Sequence, residues 1–192
     1  ALSLKINFQV FDNKSLSIFQ IASKIAGSMN KAKKKVPRNK TISLTDKERE
    51  YYLNQLLRLN KKVDLSKIEN RTINQDLFEI IDFLPESFVD LLFIDPPYNL
   101  NKSFHKNTFK KLSISEYMEW FEDWFSKLIK VLKPSASVYI CGDWRSSSAI
   151  QLVVEKYLLV KNRITWQREK GRGAKTNWKN SSEDIWFCTM SE

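Results

Sequence analysis

Apolar and polar positions follow two periods along the chain from residue 67 to its end. Short apolar runs rich in β-branched and aromatic residues predict strands, and apolar positions three or four residues apart predict amphipathic helices. The predicted strands are 71–76, 89–94, 136–142, 159–167 and 184–190. The predicted helices are 77–84, 113–132 and 146–157. This alternation indicates an α/β fold with a partial doubly wound, mainly parallel sheet and helices on its faces.

The longest predicted helix carries its own start and stop signals. Ser113 and Glu116 have capping-box spacing, and Lys133 and Pro134 mark the end. The large apolar residues between these signals form a stripe that predicts core packing: Tyr117, Phe121, Trp124, Phe125, Leu128 and Leu132. Because a half-built sheet ends on an unpaired strand, we also expect an exposed sheet edge or a partner chain that covers it.

The first part of the chain, 1–66, differs from the domain predicted over 67–192. It predicts a helical, basic N-terminal extension, with two helical stretches around the basic run 31–40. The run is either a solvated loop or a segment that contacts phosphates. The second helix has a capping box at Thr45 and Glu48. Its predicted apolar face consists of Tyr51, Leu53, Leu56, Leu57 and Leu59.

The charge balance narrows the class of partner. Among 192 residues, 32 Lys and Arg oppose 22 Asp and Glu, a formal net charge of +10. Such an excess favours a polyanion, with nucleic acid ahead of an anionic membrane surface. No apolar segment has the length of a membrane span and no signal-peptide pattern opens the chain, so we expect a cytoplasmic protein with no membrane partner.

Metal and disulfide chemistry are not expected. The two cysteines, Cys141 and Cys188, lie inside apolar strand-like runs and are predicted to be small buried side chains. The single histidine, His105, gives no set of metal ligands. We therefore predict no metal site.

The four residues Asp95, Pro96, Pro97 and Tyr98, here called the DPPY loop, follow the strand predicted at 89–94. Asp-Pro can simply open a turn. However, ligand sites in open α/β sheets collect at the carboxyl ends of strands, and that context favours a functional loop.

The DPPY loop has the groups needed to activate an aromatic amine. The lone pair of an exocyclic amine is delocalised into its ring, so the nitrogen is a poor nucleophile. The carboxylate of Asp95 and the carbonyl of Pro96 could both accept its protons and stabilise charge that develops on the nitrogen. The prolines restrict the backbone around these acceptors. The ring of Tyr98 either stacks on the base or packs beneath the loop.

Three segments carry a resemblance to a known family: NQDLFEIIDFLPESFVDLLFIDPPYNL, VLKPSASVYICGD and RITWQREKGRGAKTNWKNSSEDIWFCT. Over 68–192 the chain resembles the amino-group DNA methyltransferases that use S-adenosylmethionine, in the circularly permuted class whose DPPY motif precedes the glycine-rich cofactor motif. The resemblance implies a Rossmann-like methyltransferase sheet, a flipped-out base and direct methyl transfer.

The resemblance also implies roles for particular residues. Asp95, Pro96 and Tyr98 would be catalytic, and Pro97 would shape the loop. Asp76 matches an acidic position close to the cofactor in the family, and Asp95 would also lie beside the cofactor. The family generally pairs an aspartate at the first position of the motif with adenine N6 and a serine with cytosine N4. The resemblance therefore implies adenine.

A basic segment rich in tryptophan, 163–179, is the predicted DNA-binding surface. Its cations suit phosphates and its indoles suit stacked bases, although a loop of solvated charges would look the same. The residues predicted to bind DNA are Trp166, Arg168, Lys170, Arg172 and Lys175.

Glycine is scarce, with Gly27, Gly142, Gly171 and Gly173 the only four in the sequence. They cannot form the glycine-rich cofactor loop of the family, so we expect a truncated chain or one part of a split enzyme, completed by a second polypeptide. The leading hypothesis is an adenine-N6 DNA methyltransferase, a component of a restriction-modification system. The alternatives are an inactive or partner-dependent DNA-binding module, and an amino-methyltransferase for RNA or protein.

Overall fold

The computed structural model describes residues 43–104, 107–172, 178 and 180–192. The predicted first N-terminal helix, the basic run 31–40, His105 and Lys175 lie outside these residues. The helices are α1 (Asp46–Asn54), α2 (Leu65–Ile68), α3 (Leu77–Ile80), α4 (Ile114–Leu128) and α5 (Ser147–Val154). The strands are β1 (Val89–Ile94), β2 (Lys102–Phe104), β3 (Asn107–Phe109), β4 (Leu132–Gly142), β5 (Leu159–Arg172) and β6 (Asn180–Thr189). Short 3₁₀ turns at Ile81–Phe83 and Ile129–Val131 follow α3 and α4.

The main sheet has four strands in the order β1-β4-β6-β5, and β2 and β3 form a separate hairpin. β1 and β4 are parallel, whereas β4–β6 and β5–β6 are antiparallel. The α/β class is confirmed, but the expectation of a mainly parallel sheet is wrong because the described sheet is mixed. The reason is the short connection 173–179 between β5 and β6: a parallel crossover needs a dozen or more residues, and a hairpin does not.

The core lies between one face of this sheet and the helices α4 and α5. β1 and β4 present Leu92, Ile94, Val138 and Ile140 to this side, all at most 2% exposed. The predicted stripe on α4 is confirmed as core, and Ser113 caps the helix with the predicted Glu116 capping box.

α4 ends four residues earlier than the predicted end at Leu132. Leu132 already belongs to β4, and Lys133 and Pro134 lie in that strand. Proline cannot continue a helix, but it is tolerated near the start of a strand, where ladder hydrogen bonds are few. The predicted end of the helix is therefore wrong: Ile129–Val131 form a 3₁₀ turn instead of helix, and the strand begins before the stop signal.

The opposite face of the sheet is partly open. Leu91 and Phe93 of β1 are 46% and 45% exposed. Phe93 stacks on Tyr139 of β4, which in turn stacks on Phe187 of β6. Within the described residues β1 pairs with β4 and no other strand, so the expected open sheet edge is confirmed there.

The segment before the sheet differs from its prediction. Residues 71–76 were predicted to form a strand, but Ile73 makes an isolated bridge to Leu57 instead. The Gln75 side chain takes up both hydrogen-bonding groups of the Leu59 backbone, which leaves that backbone no strand partner. α1 has its predicted Thr45 capping box, but none of its residues is buried. The domain boundary after residue 66 remains a prediction.

Over the described part of the chain, no helix combines the length and apolar character that a bilayer crossing requires.

Candidate active site

The DPPY loop starts directly after β1, at the carboxyl end of the strand. Ile94, the last residue of β1, is in register with Ile140 of β4, and β4 ends two residues later. The ends of two parallel strands therefore meet beside the loop, as the motif's position predicted. Asp95 is exposed, Pro96 is buried, and Pro97 and Tyr98 are half-buried. The carboxylate at the start of the loop is thus accessible to a ligand.

Tyr98 and Asp95 are linked to each other. Tyr98 lies close enough to Asp95 for the carboxylate to act on its hydroxyl. Burial, followed by the negative charge of Asp95, raises the pKa of Tyr98 well above its ordinary value, and nearby Arg168 opposes the rise. The phenol therefore stays protonated and remains a donor at neutral pH. The Tyr98 ring is half-buried, and this burial is compatible with both predicted alternatives, stacking on a base and packing beneath the loop.

Tyr117 of α4 lies beneath the loop. Its hydroxyl donates a 2.9 Å hydrogen bond to the Pro97 carbonyl and also contacts the hydroxyl of Ser146. The side chain is fully buried, and burial, followed by the charge of Asp143, raises the pKa of Tyr117. A neutral phenol thus connects the DPPY loop to the turn that follows β4.

Asn99, the residue after the motif, closes the other end of the loop. Its buried side chain donates to the Leu112 carbonyl at 2.9 Å and accepts from the Leu112 amide at 2.8 Å. Leu112 precedes Ser113, the cap of α4. The two hydrogen bonds join the end of the DPPY loop to the start of the helix that lies beneath it.

Asp143 follows β4 and organises the neighbouring turn. Its Oδ1 accepts hydrogen bonds from the Ser146 hydroxyl at 2.9 Å and from the backbone amides of Ser146 and Arg145. The Arg145 guanidinium lies 3.3 Å from Oδ2 and 4.4 Å from the centre of the Trp144 ring. Asp143 is buried, whereas Trp144 is 62% exposed. A buried carboxylate and an exposed indole therefore lie one residue apart at this edge of the sheet.

The sequence reasoning missed Asn99, Asp143 and the second role of Tyr117. Asp143 had a usable signal, since Asp-x-x-Ser after a strand is typical of a turn whose carboxylate binds backbone amides. Asn99 gave none, because it opens the mainly polar stretch after the motif, which is typical of a loop. Tyr117 gave no signal, because the sequence pattern places its ring on the apolar stripe of the helix but does not show where its hydroxyl group lies.

Both cysteines are free and buried, as predicted. Burial, with a smaller contribution from the charge of Asp95, raises the pKa of the Cys141 thiol from 9.0 to about 12. Cys141 therefore lines the site as a neutral side chain. In the segments whose structure is described, no cluster of His, Cys, Asp and Glu could hold a metal ion.

The residues predicted to bind DNA lie in different environments in the structure. Trp166 of β5 is 58% exposed and remains available. Arg168 forms an ion pair with Glu183 of β6 and lies near enough to Tyr98 to influence its pKa, so it faces the DPPY loop. Lys170 and Arg172 belong to the end of β5.

Asp76, the predicted cofactor contact, caps α3. Its Oδ1 accepts a 3.0 Å hydrogen bond from the amide of Phe78. A carboxylate at a helix N-terminus stabilises the helix through the unpaired amides there. Its role toward a cofactor remains a prediction.

The chain is similar to known DNA methyltransferases over somewhat more than half of its length. The type II methyltransferase M.BamHI of Bacillus amyloliquefaciens is 32% identical over 102 residues, which are 53% of this chain and 23% of that protein. The DNA adenine methyltransferase YhdJ of Escherichia coli K12 is 29% identical over 114 residues, 59% of this chain and 38% of that protein. The chain thus spans well under half the length of either relative.

A solved structure, the PvuII DNA methyltransferase (cytosine-N4-specific), superposes with a TM-score of 0.50 at 17% identity, over 62% of this chain and 48% of that one. The likeness shows a shared α/β fold. A sequence model of the DNA methylase family matches residues 89–192, from the first residue of β1 onward. This match includes the DPPY loop, Tyr117 and Asp143 and covers more than half of the 192 residues, so the chain belongs to the DNA methylase family.

Proposed function

We propose that the chain is the catalytic part of a DNA methyltransferase that transfers a methyl group from S-adenosylmethionine to N6 of a flipped-out adenine. One observation carries the proposal: the DPPY loop lies where the ends of two parallel strands meet, with Asp95 exposed and the backbone behind it fixed by Tyr117. A rigid loop with an accessible acceptor is what activation of an amine requires.

The residues of the loop divide the work. Asp95 and the Pro96 carbonyl accept hydrogen bonds from the two amine protons, which localises the lone pair on N6 and stabilises the positive charge that develops there. The Tyr98 ring supports the face of the base. Because Asp95 is exposed, a base rotated out of the duplex can reach it.

S-adenosylmethionine supplies an electrophilic methyl group when bound. The described residues fit one wall of such a site, because exposed Asp95 can accept from polar groups of the cofactor and neutral Cys141 lies beside it. Asp76 is proposed as a second contact on the basis of the family pattern.

Adenine is preferred to cytosine because an aspartate occupies the first position of the motif. YhdJ is named an adenine enzyme and the PvuII protein is cytosine-N4-specific, so similarity alone does not choose between the bases. Asp95 carries this part of the proposal.

We further propose that the glycine-rich cofactor motif comes from another segment or a second polypeptide. The support is that, among the described residues, one edge of β1 is unpaired and has the exposed ring of Phe93 and the half-buried ring of Tyr139 beside it. A strand added there would bury apolar surface and satisfy the edge. The complete protein would be a cytoplasmic component of a restriction-modification system.

A DNA-binding module without activity is the second candidate. The net charge of +10 and the exposed rings of Trp166 and Trp178 favour it. An amino-methyltransferase for RNA or protein would use the same loop on a different amine.

Transfer of a labelled methyl group separates these functions. The chain is incubated with labelled S-adenosylmethionine and DNA, RNA or protein, with and without a polypeptide that carries the glycine-rich motif of a relative. The proposal predicts label in DNA when that polypeptide is present. DNA binding without transfer under both conditions would establish the module, and label in RNA or protein would establish the third function.

A further inference from the structure

We infer that Tyr117 is a positioning residue for the DPPY loop: its hydroxyl joins the Pro97 carbonyl to the Ser146–Asp143 turn and so sets the orientation of Tyr98 against Asp95. The inference deepens the proposed function and depends on it for its catalytic consequence. Its structural part stands on the contacts alone.

The contacts form one continuous path between the ends of two strands. The Tyr117 hydroxyl donates to the Pro97 carbonyl at 2.9 Å and contacts the Ser146 hydroxyl. Ser146 donates to Asp143 Oδ1 at 2.9 Å. Asp143 follows the last residue of β4, and Pro97 lies three residues after the last residue of β1. The path therefore fixes the loop after β1 to the turn after β4.

The bonded carbonyl is the one whose rotation matters. Proline fixes φ at Pro96 and Pro97, so ψ at Pro97 is the rotation that turns the next peptide group and the Tyr98 side chain. A hydrogen bond to the Pro97 carbonyl fixes that ψ. The placement of Tyr98 relative to Asp95 then depends on it, because both residues belong to the same four-residue loop.

Burial makes this link difficult to replace. Tyr117 and Ser146 are fully buried. The Pro97 carbonyl, which belongs to a half-buried residue, loses its hydrogen bond when the buried Tyr117 hydroxyl is removed. Removing the Tyr117 hydroxyl should therefore allow the Pro97–Tyr98 peptide to rotate. A misplacement of about 1 Å at a reacting group can lower a rate about a hundredfold.

The chain contains a matched control. Tyr157 also has a hydroxyl in a side-chain hydrogen bond, donating to Glu122 of α4 at 2.9 Å, and none of its contacts within the described residues reaches the DPPY loop. Tyr157→Phe removes the same group as Tyr117→Phe. An effect that comes from losing any hydrogen-bonded phenolic hydroxyl would therefore appear in both variants.

The test compares the full chain and both variants by two measurements. The first is the backbone ¹⁵N–¹H spectrum, which reports the Tyr98 amide of the rotating peptide. The second is methyl transfer to DNA in the presence of the glycine-motif polypeptide, with kcat and KM for DNA determined separately. We expect Tyr117→Phe to shift or broaden the Tyr98 signal and to lower kcat tenfold to a hundredfold with KM unchanged. Tyr157→Phe should change neither.

An unchanged Tyr98 signal in Tyr117→Phe would overturn the inference, and so would a shifted signal with normal kcat. Equal changes in the two Phe variants would assign the effect to general stability and also overturn it. If the unaltered chain transfers no methyl group to any substrate, the proposed function fails. The amide comparison then decides by itself whether Tyr117 orients the loop.

Discussion

The Tyr117 hydroxyl donates a 2.9 Å hydrogen bond to the Pro97 carbonyl, which fixes the peptide group that carries Tyr98. The ring of Tyr98 can therefore support a base while its hydroxyl lies close to Asp95, the acceptor that the base uses. The two parts of this side chain make separable contributions.

Replacing Tyr98 separates the two contributions. Tyr98→Phe keeps the ring and loses the hydroxyl beside Asp95, so we expect a loss of about tenfold in kcat, or about 1.4 kcal/mol. Tyr98→Ala also loses base stacking, which is worth about 1–3 kcal/mol, and should lose a further factor of about 5 to 150. Steady-state methyl transfer measures both. Equal losses in the two variants would mean that the ring does not contact the base.

Asn99 should be important for stability as well as for loop geometry. Asn99→Ala removes two buried hydrogen bonds to Leu112 and leaves that backbone unsatisfied, so we expect the free energy of unfolding to fall by about 2 kcal/mol. The control is Asn101→Ala, which removes an exposed hydrogen bond from Lys111 and should cost less. Urea denaturation measures the free energy of unfolding of both variants, and equal losses would contradict a stabilising role for the two Asn99–Leu112 hydrogen bonds.

The cysteines predict a loss of stability at high pH. Burial raises the pKa of both thiols from 9.0 to about 12. The folded chain therefore keeps thiol protons that the unfolded chain releases above pH 9. The contribution of the thiols is complete below pH 9 and is lost as the pH rises from 9 towards 12. Each thiol then contributes a slope that approaches about 1.4 kcal/mol per pH unit. The double variant Cys141→Ala with Cys188→Ala should show a shallower fall in unfolding free energy between pH 9 and 10. The same slope in both proteins would show that the thiols are not responsible.

DNA affinity should depend on the two cations at the end of β5, Lys170 and Arg172. Arg168 pairs with Glu183, so a charge change there would disturb the hairpin as well as binding. Lys170→Gln with Arg172→Gln should weaken binding to all sequences alike and reduce the salt slope of log Kd by about 2, because phosphate contacts carry no sequence information. The surface control Lys156→Gln removes a cation paired with Glu122 and should leave the slope unchanged. Fluorescence titration over a salt series measures the slopes, and an unchanged slope in the double variant would contradict phosphate contact at these positions.

Rules that use only neighbouring residues correctly predicted the features that depend on contacts between neighbouring residues. The capping boxes at Thr45 and Ser113 form as predicted, because their hydrogen bonds join residues three apart. The strand 89–94 was correct because a short run of β-branched and aromatic residues is too short for a typical helix. The place of the DPPY loop followed directly from that strand.

The errors arose where distant residues decide. The predicted strand 71–76 fails because Gln75 binds the Leu59 backbone, sixteen residues away, and periodicity does not register such a contact. The direction of β6 depends on a hairpin connection and not on the strand's composition. Tyr117 reads as one more apolar position in α4, since the pattern cannot show that its hydroxyl meets the Pro97 carbonyl twenty residues earlier.

The most direct test of the account is nucleoside mass spectrometry of DNA treated with S-adenosylmethionine, the glycine-motif polypeptide and either the unaltered chain or its Asp95 variants. The account predicts that the unaltered chain forms N6-methyladenine. With Asp95→Ala or Asp95→Asn, the rate of N6-methyladenine formation should fall by on the order of a hundredfold, because one preorganised acceptor is lost or made neutral. Both variants should keep their DNA affinity and folding, since Asp95 is exposed. Near-normal N6-methyladenine from Asp95→Ala, or N4-methylcytosine as the product of the unaltered chain, would contradict the account.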